Sequence, residues 1–227
     1  MPQTLKLPKL NLTLKHKVLS MNQHQEQLET LHEIRNIMDR SSRFISLSGL
    51  SGISAGLTAL AGAAVVKWYL SEHSIGTRQI QDNTLNQDTI LFLLTVAFVV
   101  LVVALWLASF FTIRRAQRNN HRIWDSKSQR LLVNLAIPLA AGGIFCAVLL
   151  YHNILYLVAP AMLVFYGLAL INGSKYTLSD IRYLGIFQLV LGLLSSFFLS
   201  YGLLSWTIGF GVLHIVYGTL MYFKYES

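Results

Sequence analysis

The chain reads as an all-α protein, a polytopic transmembrane bundle of six spans preceded by a cytosolic amphipathic helix. Three observations carry that reading. Of 227 residues, 54% are hydrophobic and only 12% charged, whereas a soluble domain carries about 25% charged residues. The charge deficit is concentrated in long apolar runs, and about 20 apolar residues suffice to cross a bilayer as a helix. Lysine and arginine, finally, gather in alternate connections between those runs.

Residues 1–20 alternate leucine with polar or basic residues and are interrupted by Pro8. An isolated alternating strand has nothing to pair with, so a disordered basic extension is expected, with Met21 as the more natural start. A basic arm on anionic headgroups is the alternative. No secretory signal peptide is expected, since the first apolar run begins at Phe44. Within residues 21–43, Leu28, Leu31, Ile34 and Met38 share one helical face with Ile37 beside it. Such a helix can cover the inner mouth of a bundle, dock a soluble partner or form a short dimer coil.

The membrane domain is expected over residues 44–227, with spans at about 44–67, 90–113, 131–150, 154–171, 183–200 and 203–223. The first span sorts into three stripes at about 100° per residue. Gly49, Gly52, Gly56, Ala59 and Ala63 form a helix-packing stripe. Leu50, Ile53, Leu57 and Leu60 form an apolar stripe, and Ser51, Ser54, Thr58, Ala61 and Val65 a third. Lipid is as apolar as leucine, so helices associate there through small residues and interhelical hydrogen bonds. The first stripe should therefore face protein and place this helix at the centre of the bundle. Gly52-x-x-x-Gly56 also fits a homodimer contact, and the hydroxyls could instead line a polar path. In the fourth span Pro160 is expected to kink the helix or free a carbonyl for a neighbour. Short connections at Tyr151–Asn153 and Tyr201–Gly202 make spans 3 and 4, and spans 5 and 6, antiparallel hairpins. Asn172-Gly173 can end the fourth span, and Thr177, with Asp180 three residues on, can cap the fifth.

Sixteen of the eighteen Lys and Arg residues fall in the N-terminal segment, the 114–130 loop, the loop after span 4 and the C-terminus. The positive-inside rule then places both termini in the cytoplasm, in a plasma (inner) membrane. It also accounts for the net charge of +8, so no nucleic-acid partner is expected. Gly142 and Tyr151 recur as Gly192 and Tyr201, Tyr166-Gly167 as Tyr217-Gly218, and Lys175-Tyr176 as Lys224-Tyr225. In order and at near-constant offset, these suggest a repeated hairpin of about 50 residues.

No Asp, Glu, Lys or Arg occupies the middle of a span, which argues against a carboxylate-driven ion pathway. There is no HExxH, Gly-x-Ser-x-Gly or nucleotide loop. Cys146 is the single cysteine, and the seven histidines lack ligand spacing. No catalytic residue, cofactor or metal site is therefore expected. His214 stands out, deep in the sixth span, with Gln188 in the fifth. The candidate polar cluster is Ser51, Ser54, Thr58, His214 and Gln188, with His214 expected to bond the hydroxyl stripe of span 1. Asn134 is a further interhelical donor. Two function classes follow. One is a non-catalytic interaction or signalling partner, engaging a soluble cytosolic protein through residues 22–43 and the 114–130 loop. The other is a small transporter or channel along the Ser51, Ser54, Thr58 and His214 face. A lipid enzyme would need a cytosolic cleft holding Asp39, Arg43, Asp180 and Arg182.

The stretches MDRSSRFISLSGLSGISAGLTALAGA, SKYTLSDIRYLGIFQLVLGLL and GFGVLHIVYGTLMYFKYE resemble a family of small bacterial six-span membrane proteins with no assigned activity. The resemblance covers roughly residues 21–227. It implies the six-span fold and transfers no functional residues.

Overall fold

The computed structural model describes residues 48–82, 84–118, 126–178 and 180–225. Every described residue belongs to the unit Phe44–Ser227. The expectations for residues 1–20 and 21–43, and for 119–125 in the basic loop, lie outside the described residues.

The described residues form α1 (Gly49–Glu72), α2 (Thr77–Gln81), α3 (Gln87–Arg118), α4 (Ser126–Tyr151), α5 (Val158–Gly173), α6 (Asp180–Phe197), α7 (Gly202–Trp206) and α8 (His214–Tyr225). A π-helical segment, Thr207–Leu213, joins α7 to α8. Tight 3-10 turns at Leu155–Leu157, Ser174–Tyr176 and Leu199–Tyr201 lie between helices. Among these residues there is no strand. Six segments are long and apolar enough to cross a membrane: Gly49–Glu72, Gln87–Arg118, Ser128–Tyr151, Leu155–Tyr176, Asp180–Phe197 and Leu199–Tyr225. The protein is an all-α bundle of six such segments. The short helix α2 has no counterpart in the sequence reading, because five residues are too few for a periodic signal.

Small residues set the packing order. A side chain at Gly49 would sit 2.5 Å from the Gly218 carbonyl oxygen and from the Tyr222 amide nitrogen. One at Gly218 would sit 2.6 Å from the Gly49 carbonyl oxygen, and one at Gly56 2.7 Å from that of Gly211. The α1 and α8 backbones are thus in direct contact, which only glycine permits. The same device joins α5 to α6, where a side chain at Gly167 would meet the Gly185 carbonyl oxygen at 2.7 Å. The outer neighbours follow from these pairs: α3 packs on α1, and α4 on α5. Ala59 and Ala63 are buried with Gly49, Gly56 and Gly62 of α1, while Leu50 and Leu57 are exposed on its other side. Leu60 departs from the apolar stripe: its side chain packs against Gly211.

Two helix ends use a left-handed residue other than glycine. After α4, Asn153 has φ 57. The Ile154 amide donates to the Leu149 carbonyl at 2.7 Å and the Asn153 amide to that of Leu150 at 3.0 Å, which is a Schellman closure. After α1, Ser74 has φ 53, with Ile75 donating to the Leu70 carbonyl at 2.8 Å. Helix α2 touches the turns at Leu155–Leu157 and Leu199–Tyr201, and Gln81 Nε2 donates to Ser200 Oγ at 3.0 Å. One loop thereby covers both short hairpin turns.

The proline expectation is corrected by the position of the helix starts. Pro160 is the third residue of α5, in the first turn, where the missing N–H has no carbonyl to leave unpaired. It produces no interior break. Pro138, by contrast, lies inside α4 and leaves the Asn134 carbonyl without its helical donor. Asn172 Nδ2 of α5 takes that donor's place, donating to the Asn134 carbonyl oxygen at 2.8 Å and lying 3.3 Å from its Oδ1. Helix α5 does end at Gly173, but Gly173 keeps φ −64. It is small because Leu131 and Leu135 press against it, not because the chain turns left-handed there.

Candidate functional site

Three membrane segments bring one polar group each to a common point. Gln188 projects from α6 and is wholly buried; His214 opens α8 and is 7% exposed. Tyr166, from α5, completes the set. Tyr166 Oη lies 2.8 Å from His214 Nε2. On the other edge of the imidazole, Nδ1 lies 3.0 Å from the Gly209 carbonyl oxygen. Gln188 Nε2 donates to that same carbonyl at 2.7 Å and stands 3.5 Å from His214 Nδ1.

These partners assign the tautomer. A carbonyl only accepts, so Nδ1 carries the proton, Nε2 accepts, and the Tyr166 hydroxyl donates. The imidazole is neutral, and the 3.5 Å Gln188 contact joins two donors and is not a hydrogen bond. Gly209 lies within the π-helical segment, whose i→i+5 turns are wider than α turns, and its carbonyl is the acceptor for both side chains. Gly209 is itself required: a side chain there would lie 2.6 Å from Gln188 Oε1 and against Leu163. Phe210 and Tyr166 flank the imidazole, at ring centroid distances of 6.0 and 5.4 Å.

The predicted cluster therefore divides. Gln188 and His214 come together, and the hydroxyl stripe does not join them. Ser51 Oγ donates to the Ser48 carbonyl, Ser54 Oγ to that of Ser51 at 3.0 Å, and Thr58 Oγ1 to that of Ser54 at 2.8 Å. Each hydroxyl returns to its own helix, a bond open to any Ser or Thr in a membrane helix. The expected bond from His214 to the stripe of span 1 is replaced by one to Tyr166. The face of α8 that meets α1 is its glycine face, and His214 turns away from it toward α5 and α6. Sequence reasoning missed Tyr166. The available signal was its place well inside a span, since a buried tyrosine needs a partner for its hydroxyl.

The arrangement is chemically closed. A proton taken up at Nε2 would leave both imidazole nitrogens protonated, and the partner of Nδ1 is a backbone carbonyl that cannot take one on. The group thus fastens three helices and offers no relay. Among the described residues, no three His, Cys, Asp or Glu side chains could hold a metal ion together. Of the cleft an enzyme would need, Asp39 and Arg43 lie outside the described residues, and Asp180 is paired with Lys224 at 2.8 Å. Comparison with protein-family models, curated proteins and solved structures found no match.

Proposed function

We propose that this chain is a non-catalytic interaction or signalling partner in a plasma (inner) membrane, with both termini cytoplasmic. The closed Tyr166–His214–Gly209–Gln188 network carries the reading. Tyr166, His214 and Gln188 fasten three membrane segments to one another, which is a structural use of His214 and Gln188, the polar groups the sequence singles out. The segments of specific polar character that remain are the amphipathic stretch 22–43 and the basic 114–130 loop, and these would engage a soluble cytosolic protein. Transport along the Ser51, Ser54, Thr58 and His214 face has less support, since those hydroxyls bond their own helix and His214 lies elsewhere.

The test is affinity capture of the native protein from mild detergent, with a control lacking residues 22–40. A stoichiometric soluble partner, lost in the control, is the expected result. Recovery of the protein alone in both forms would reject the docking reading and turn attention to transported ligands.

A further inference from the structure

A groove of about 590 Å³ lies between α6 and α8. Near the middle of the spans, Gln188 ties α6 to the π-helical segment and closes one end. Beyond that tie, the backbone of α6 approaches α7 and the π-helical segment more closely than it approaches α8. At the far end side chains bridge the gap. Asp180 accepts from Lys224 Nζ at 3.1 and 2.8 Å and from Tyr225 Oη at 2.7 Å. Leu184, 6% exposed, forms part of the floor, while Phe187, Val216 and Leu220 at the edges are 61%, 50% and 63% exposed. These edges belong to segments long and apolar enough to cross the membrane, so the groove opens sideways onto hydrocarbon.

We propose that this groove holds one acyl chain of a bilayer phospholipid, with the lipid phosphate at Lys224. The volume is in the range of small-ligand sites, about 300–1,000 Å³, and the lining is apolar as such sites are. The exposed apolar edges on membrane-length segments favour a lipid chain as the occupant, and Lys224 offers its headgroup a donor. The Lys224 side chain is 58% exposed and lies at the membrane end of the groove, where headgroups are. An ammonium has three donors; two of its bonds go to Asp180, which holds it in place, and a phosphate can take the third. A second copy of this chain seated on the slot would exclude the acyl chain, and labelling by a lipid separates the two. Lipid binding here does not depend on the interaction function and stands if that function fails its test.

The test places the full chain in phosphatidylcholine nanodiscs containing a phosphatidylcholine with a photoreactive diazirine on one acyl chain. After illumination, labelled peptides are mapped. The expected result is several-fold stronger labelling at Leu184, Leu213 and Val216 than on the lipid-exposed Leu101–Leu105 stretch of α3. Val216→Trp should fill the groove and abolish the excess while leaving α3 labelling unchanged. Lys224→Gln should lower it several-fold, and Lys224→Arg should preserve it. If Val216→Trp does not fold, Leu220→Trp at the outer rim and the two Lys224 variants give the same reading. Labelling of the groove no stronger than that of α3, as a second copy seated on it would give, or an excess indifferent to all these changes, would overturn the proposal.

Discussion

Tyr166 shows what a single hydroxyl contributes inside a bilayer-spanning core. Tyr166→Phe removes the donor to His214 Nε2 and keeps the ring that packs on Phe210. Interhelical hydrogen bonds in membranes average about 0.6 kcal/mol and reach about 1.7. A loss of roughly 1 kcal/mol is therefore expected, read as a lower thermal unfolding temperature in detergent. Gln188→Leu should behave differently. It removes one donor to Gly209, whose carbonyl keeps the His214 bond, and it also removes Oε1, a buried acceptor with no hydrogen-bond partner. An unmet buried acceptor is costly, so the two effects oppose and the unfolding temperature should change little. A loss larger than that of Tyr166→Phe would show that the tie from α6 to Gly209 dominates the cluster. His214 and Gln188 were legible in the sequence because polar groups are rare in apolar runs. Tyr166 was not, because tyrosine in a membrane sequence ordinarily marks the interface, and one-dimensional position does not name a partner.

At the scale of the helix, Gly142 and Gly143 form a natural pair of probes. They are adjacent in α4 and share its backbone. A side chain at Gly142 would collide with Phe165 of α5, whereas one at Gly143 would meet nothing within 4 Å. Gly142→Ala should therefore destabilise by about 1–3 kcal/mol, the usual cost of overpacking. Gly143→Ala should be neutral or stabilising, since alanine is the better helix former by up to about 1 kcal/mol. Unfolding of the two variants in the same detergent checks the contrast, and equal behaviour would mean that α4 does not pack on α5 as described. The stripe of α1 was legible for a related reason: spacing of three and four puts small residues on one face whatever the partner. That α8 is the partner was not legible, because Gly52-x-x-x-Gly56 fits a second copy of the chain as well as it fits Gly211 and Gly218. Proline shows the same division. Pro138 and Pro160 are identical in kind, and only the position of each helix start separates the harmless one from the one that frees the Asn134 carbonyl.

Across the whole molecule, six segments are long and apolar enough to cross a membrane, and six crossings would put the start of α1 and the end of α8 on one side. Reporter fusions at the C-terminus and within the connection between α1 and α3 should therefore give opposite signals, with the C-terminal reporter cytoplasmic. Matching signals would contradict six crossings; a reversed pair would contradict the charge-based orientation. The number of spans, their approximate limits and the small-residue face of α1 could all be read from the chain. Each depends on local composition and helical period, and the bilayer imposes both on the segment itself. Span ends were legible only to within a few residues, since α3 continues to Arg118, where Arg115 Nη2 donates to the Tyr225 carbonyl at 3.0 Å. Which helices touch, which carbonyl the π-helical turn presents, and where α6 and α8 part to leave a groove came from the three-dimensional packing. In lipid no apolar face is driven toward any particular neighbour, so close backbone fit and a few hydrogen bonds select the partners, and these exist only once the helices have met.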